Sequence, residues 1–281
     1  MNTIIDTHNH LWTLDEKHFS WIPEGCAIHR DFSITDLKEV LSASGVSGSI
    51  LVQAVPTLDE TLWLLGIAED EPVVRGVIGW ANVAAGSAVA ADLETLARRS
   101  AKLKGIRYMS QGLPPEHLTE QDFIAGVRTV GRHGLVYELL ITASQLEAAE
   151  TLIAACPDVA FVIEHIAKPD IRNRVLLPWR NTLTRIARAH GNVSCKLSGM
   201  VTEADHQNWS YGDIEPYMAT VFEAFGPDRV LYGSDWPVSL LAAQYKSVLG
   251  LCAEYVAAKP AAEQDKFFAL NAKHVYGLAD G

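Results

Sequence analysis

Two histidines one residue apart, His8 and His10, close the segment Ile4-Ile5-Asp6-Thr7-His8-Asn9-His10. In an extended strand alternate side chains share a face, so the two imidazoles stand side by side. Placed that way they can ligate a metal ion or polarise a carbonyl. An H-x-H pair alone has little weight, but two later segments end in a similar manner. Phe161-Val162-Ile163-Glu164-His165-Ile166-Ala167-Lys168-Pro169 is an apolar strand that runs into an imidazole. Val230-Leu231-Tyr232-Gly233-Ser234-Asp235-Trp236-Pro237 is another, and it runs into a carboxylate. Taken singly, His165 reads equally well as a core histidine satisfied by a carbonyl, and Asp235 as the cap of the next helix. Four such groups at C-terminal strand ends are harder to obtain by chance in a chain with ten histidines.

The elements that must position these groups follow one pattern. Apolar runs at 4–10, 49–55, 73–83, 103–109, 135–141, 160–165, 192–198 and 229–235 read as strands. Several are nearly continuous, as in Ser49-Ile50-Leu51-Val52, which is how parallel strands covered on both faces look. Between them lie helical spacings. Ser144-Gln145-Leu146-Glu147 has the form of a capping box ahead of the apolar face Leu146, Ala149, Leu152 and Ile153. Phe123, Val127 and Val130 follow Thr119-Glu120-Gln121-Asp122 in the same manner, and Leu93, Leu96 and Ala97 mark a third helix. Eight strand–helix units with right-handed crossovers predict an α/β fold, a (β/α)8 TIM barrel, with active-site residues at the C-terminal ends of the strands. Residues 11–30 depart from the pattern as an extended first βα loop rich in aromatics. It reads either as part of the catalytic face or as a surface loop packed on its own rings.

Composition narrows the class. The 281 residues are 48% hydrophobic and 20% charged, an ordinary globular make-up. With 23 Lys and Arg against 34 Asp and Glu the net charge is −11, which argues against nucleic acid and anionic membrane as partners. Four dispersed cysteines and the lack of a basic, apolar leader at the start of the sequence predict a cytoplasmic location. No apolar run approaches the roughly 20 residues needed to span a bilayer. With no linker or repeat in view, residues 1–281 read as a single domain.

The Asp-x-His-x-His opening and the Gly-Ser-Asp-Trp-Pro ending resemble the amidohydrolase superfamily. The resemblance is closer to its L-fuconolactonase-like and 2-pyrone-4,6-dicarboxylate lactonase-like branch. It extends in order through Leu51-Val52-Gln53-Ala54, Glu60-Thr61-Leu62-Trp63, Gly76-Val77-Ile78-Gly79-Trp80, Lys104-Gly105-Ile106-Arg107-Tyr108, Tyr137-Glu138-Leu139-Leu140, the His165 segment and Cys195-Lys196-Leu197-Ser198-Gly199. It implies hydrolysis of a small polar lactone, a sugar aldonolactone or a muconolactone or pyrone. Binuclear members of the superfamily need a bridging Lys or Glu on the fourth strand and a His on the fifth. Here those strands offer Arg107 and Tyr108, then Tyr137 and Glu138. His8, His10, His165 and Asp235 are left, enough for one Zn²⁺ with an open position or for a metal-independent site.

On this reading Asp235 is the general base for the attacking water and later the acid for the leaving alkoxide, while His8, His10 and His165 polarise the carbonyl. Arg107, Lys168, Lys196, Gln53 and Arg30 are candidates to hold substrate oxygens, and Trp12, Trp80 and Trp236 to stack on its ring. The partner is a small molecule, and a homo-oligomer is compatible with the sequence. A metal-dependent decarboxylase or hydratase of the same superfamily is the nearest rival, followed by a metal-dependent deoxyribonuclease. A non-catalytic sugar-binding barrel is the alternative from another class.

Overall fold

In the computed structural model, which describes residues 3–279, eight parallel strands form one sheet in chain order. They are β1 (Ile5–Asn9), β2 (Gly48–Val52), β3 (Val74–Gly79), β4 (Leu103–Met109), β5 (Val136–Leu140), β6 (Phe161–Ile163), β7 (Val193–Leu197) and β8 (Val230–Tyr232). Helices fill the crossovers, giving the (β/α)8 barrel that the strand–helix alternation predicts. The strands are shorter than the apolar runs. β3 stops at Gly79, and Val83 already belongs to the 3-10 segment Val83–Val89. β6 and β8 stop short of His165 and Asp235, so both residues sit on the loops that leave the barrel.

Alternation along the strands separates two apolar layers. Ile5, Ile50, Val52, Ile78, Val136, Val162 and Leu231 form an inner cluster with Ala269, Ala272, Tyr276 and Leu278 from the C-terminal segment, which plugs the bottom of the barrel. The intervening residues, among them Leu51, Val77, Ile106, Leu139 and Cys195, pack with the helices. The inner parity continues upward as Arg107 and Met109 on β4, Glu138 and Leu140 on β5, and Lys196 and Ser198 at the end of β7. Polar groups therefore stack above an apolar floor.

The seam between β8 and β1 is closed by one parallel bridge, Asn9 with Trp236. The His10 amide donates to the Trp236 carbonyl at 2.8 Å and the Asp235 amide to the His8 carbonyl at 2.9 Å. Thr7 Oγ1 donates to the Tyr232 carbonyl at 2.6 Å, and Asp6 Oδ1 accepts the Ser234 amide at 2.8 Å. The residues that tie the barrel shut are thus neighbours of, or the same as, those expected to do chemistry.

Helix starts differ from the sequence reading. Thr142, not Ser144, opens the helix at Leu146–Ala155, through a capping box with Gln145 and an intervening 3-10 turn. Gln145 also donates to the carbonyls of Ser110 (2.8 Å) and Leu113 (2.9 Å), so tertiary bonds select the earlier of two possible boxes. Thr119 turns its hydroxyl back to the Glu116 carbonyl, and helix Gln121–Arg132 begins after Glu120 without a side-chain cap.

Gly126, inside Gln121–Arg132, allows this helix to lie on the 83–89 segment, since a Cβ there would stand 1.9 Å from the Val83 carbonyl oxygen. Alanine normally gains about 0.5–1 kcal/mol over glycine in a helix, but forced overpacking costs roughly 1–3 kcal/mol. Gly126→Ala is expected to lower the denaturation midpoint. Gly250→Ala, in helix Tyr245–Val256 with nothing within 4 Å, is expected to raise it. Stabilisation by both substitutions would contradict the packing argument.

Candidate active site

A cavity of about 300 Å³ opens at the C-terminal mouth, and His10, His165, Asp235, Arg107 and Lys168 are among its lining residues. Three local departures from regular strand geometry bring the reactive groups there. A bulge between Asp6 and Asn9 in the β1–β2 pairing resets the alternation. Asp6 consequently meets the outer helix, accepting from Tyr245 Oη at 2.8 Å, while His8 and His10 share the inner face. After β6 the chain makes a left-handed turn, with positive φ at His165, Ile166, Ala167 and Lys168. Asp235 itself has φ 59°. Non-glycine residues in this region cost on the order of 1–3 kcal/mol each and persist where the surroundings dictate them. His165 also requires Gly199, whose φ is +61° and whose Cβ would stand 2.6 Å from the imidazole Nδ1.

The distances define a compact cluster. His8 Nε2 and His10 Nε2 are 3.0 Å apart, and Asp235 Oδ1 lies 3.6 Å from the first and 3.5 Å from the second. The His165 ring centroid is 4.5 Å from that of His8. Ser198 Oγ accepts the His165 amide at 3.3 Å and lies 2.9 Å from Nδ1. With one lone pair taken by the amide, the hydroxyl is free to donate to Nδ1, an arrangement that puts the ring proton on Nε2. Burial lowers His165 to about 4 and holds His8 well below the ordinary histidine range, so both are neutral at pH 7. Burial acts to raise the Asp235 carboxyl, but the neighbouring His165, His10 and His8 outweigh it and keep the group well below the usual carboxylate range.

Behind this cluster lies a buried charge network. Glu164 Oε1 is 3.2 Å from His8 Nδ1, and Glu164 Oε2 accepts from Arg107 Nη1 at 2.9 Å. Arg107 Nη2 donates to the Gln53 carbonyl. Lys196 Nζ is 2.6 Å from Glu138 Oε2, and Tyr276 Oη donates to Glu138 Oε1 at 2.6 Å.

Of the twelve residues singled out from the sequence, the fold brings His10, His165, Asp235, Arg107, Lys168 and Trp12 to the cavity wall, with His8 directly beneath. The others lie elsewhere. Lys196 is fully buried and committed to Glu138, which corrects its reading as a substrate contact. Gln53 is likewise buried, donating to the Arg107 carbonyl at 3.5 Å, and orients that arginine. Trp236 is in the core, edge-on to Phe32, and Trp80 stacks beside Tyr108. Arg30 lies over Phe32 and pairs with Asp36 at 2.9 Å, away from the cavity. The extended loop is both things the sequence allowed. Trp12 pairs with Phe32 and packs on Phe19, while Trp12 and the half-exposed Trp21 also line the mouth.

Glu164, Ser198, Trp21, Met109, Gln111 and Leu140 were not singled out. Glu164 had a signal, because a carboxylate inside an apolar strand must find a cationic partner when buried. The apolar and neutral residues carried none.

The donor set suits one divalent ion. His8, His10 and Asp235 offer ligand atoms all within 4.8 Å of one another, and a second set, His8, Glu164 and His165, shares His8 with it. His10 Nδ1 lies 2.8 Å from the Val52 carbonyl, which fixes that ring nitrogen as the donor and leaves Nε2 a bare lone pair. Either neutral form of His8 then sets two electron-rich atoms against each other, at His10 Nε2 or at Glu164 Oε1. A cation among His8, His10 and Asp235 removes that conflict. Near β4 and β5 the mouth offers Arg107, Met109 and Leu140, none able to bridge a second ion. Elemental analysis is expected to give at most one zinc ion per chain, and two tightly held ions would refute this assignment.

The chain matches the amidohydrolase family over residues 5–278 and belongs to it. It is 36% identical over 244 residues to an L-fucono-1,5-lactonase of Burkholderia ambifaria, covering 86% of this chain and 82% of that protein. It is 33% identical over 292 residues to an L-fucono-1,5-lactonase of Burkholderia multivorans, covering 98% and 96%. A crystal structure of an amidohydrolase from Burkholderia multivorans with bound zinc superimposes with TM-score 0.92 at 33% identity, over 99% of this chain and 100% of that one.

Proposed function

We propose that the protein is a lactone hydrolase acting on a small polar lactone, a sugar aldonolactone above all. The observation that carries this reading is the meeting of an ionised carboxylate, Asp235, with neutral imidazoles at the wall of a cavity sized for one ring. The kinship with L-fucono-1,5-lactonases supports it.

The chemistry follows from the groups present. Asp235 takes a proton from water as the water oxygen bonds to the lactone carbonyl carbon. The Nε2–H of His165 donates to the carbonyl oxygen and strengthens that bond as negative charge develops there. When the carbonyl reforms, the ring C–O bond breaks and the proton held by Asp235 passes to the leaving alkoxide, giving the hydroxy acid. A zinc ion held by His8, His10 and Asp235 would supply Lewis-acid polarisation of a substrate oxygen. Glu164 keeps Arg107 and His8 in place, so Arg107 serves positioning as well as binding. The protein acts on a small molecule, and among the described residues no helix is long and apolar enough to cross a membrane.

Proton release from a panel of aldonolactones, muconolactones and pyrone lactones, with and without chelator, tests the reading. Turnover of none of them would overturn it. The pH profile is a further test. Protonation of His165 would pair it with Asp235 and quench the base, and this begins only toward pH 4. We therefore expect kcat/KM to hold level from neutrality down to about pH 5 and to fall below that. An acid limb at the ordinary histidine value of about 6.5 would contradict it.

A further inference from the structure

The two cations at the cavity wall are both already compensated within the protein. Arg107 is held by Glu164 at 2.9 Å and by the Gln53 carbonyl, and its Nε is buried without a protein partner, a donor suited to a neutral oxygen. Lys168 Nζ lies 3.3 Å from Glu203 Oε1. The backbone is fixed at both ends of this second pair. The Lys168 backbone is left-handed and its amide donates to the His165 carbonyl at 2.8 Å. Glu203 ends the short turn Val201–Glu203 after β7, and its carbonyl accepts the Arg172 amide at 2.9 Å. Arg107 and Lys168 thus each answer a carboxylate, Glu164 and Glu203, while Lys196 behind them answers Glu138 and lies 3.7 Å from Glu164 Oε1, and the neutral His8 and His165 add no positive charge.

We propose that Glu203 is a specificity-determining residue: by holding Lys168 it leaves the mouth, among the described residues, without an unpaired cationic side chain, so the site selects an uncharged polyhydroxylated lactone over one that carries a carboxylate. This rests on the lactone-hydrolase reading and narrows its substrate class. An aldonolactone needs hydrogen bonds for its hydroxyls, which paired Lys and Arg side chains still provide. A carboxylated lactone needs net positive charge, which Glu203 removes. Pair members only about a quarter exposed, 23% and 27%, are incompletely screened by water, so the effect of Glu203 reaches the adjoining cavity.

The test uses matched compounds, an aldonolactone and its counterpart with a carboxylate in place of the terminal hydroxymethyl, together with the two corresponding lactams, which resist hydrolysis. Kinetics are read on the lactones and calorimetric affinity on the lactams, the latter in chelated protein so that no bound cation adds charge at the mouth. The wild type is expected to favour the neutral member by roughly tenfold or more in both measures. Glu203→Gln, similar in size and still able to accept a hydrogen bond from Lys168, is expected to tighten the carboxylated lactam and lower KM for the carboxylated lactone by roughly tenfold. Turnover of the neutral lactone should be unchanged. Lys168→Met in the Glu203→Gln background should abolish the gain. Equal wild-type affinity for the two lactams, or a ratio unmoved by Glu203→Gln, would overturn the proposal. Absence of turnover on both lactones would instead overturn the hydrolase reading, with the lactam affinities still deciding the charge question.

Discussion

Asp235→Asn is expected to lower kcat on the best lactone by roughly 10²–10⁴, the size of a general acid–base contribution, with little change in KM. The substitution keeps the shape and one carbonyl oxygen but removes, among the described residues, the only carboxylate that meets His8, His10 and the cavity together. The backbone bond from the residue-235 amide to the His8 carbonyl, part of the barrel seam, does not depend on the side chain, so the fold should persist. Zinc content is measured alongside, because loss of a ligand and loss of a base both reduce turnover. A variant that retained turnover would refute the assigned base. Retained ligand affinity with no wild-type turnover would mark a binding protein instead.

Lys196→Met is expected to destabilise the fold by about 3–5 kcal/mol, the range for breaking a buried ion pair from one side. Lys196 and Glu138 are both fully buried, and the ammonium lies 2.6 Å from the carboxylate. Burial raises the Glu138 carboxyl, and Lys196 opposes that rise. Without the lysine it takes a proton at neutral pH instead of standing as an isolated charge, which places the loss toward the lower end of the range. Adding Glu138→Leu and Tyr276→Phe should recover most of the stability, since a well-packed apolar replacement of a buried pair is often neutral. Chemical denaturation of the single and triple variants checks this. A single variant with wild-type stability would show that the pair contributes nothing to the fold.

The barrel was legible because covered parallel strands leave apolar runs that polar-faced helices interrupt. The site was legible in part, for a related reason: His8, His10, His165 and Asp235 interrupt or end those runs where a purely structural strand has no need of them. What alternation could not convey was local backbone geometry. The β1 bulge turns Asp6 away from His8, and the left-handed turn brings His165 beside Glu164 when a continued strand would oppose them. Aromatics were the least readable group. Trp236 and Trp21 look alike in sequence, yet one is buried against Phe32 and the other stands at the mouth. Which ring reaches a ligand depends on how the first loop, with its short helix Glu16–Phe19, folds back through the Trp12–Phe32 bridge.

The plug at the bottom of the barrel has a consequence for how the chain folds as it is made. Tyr276 and the helix Asn271–Tyr276 leave the ribosome after all eight strands. Until they do, the inner apolar layer around Ile5, Ile78 and Leu231 has no floor, and Glu138 lacks the hydroxyl that satisfies its second oxygen. A nascent chain stalled just short of residue 271 would therefore hold every strand and every reactive side chain of the mouth, yet carry an open, partly unsatisfied interior. Its exposed floor is a natural handle for chaperones or for aggregation, and protease resistance of the barrel should arrive late in synthesis and in a single step.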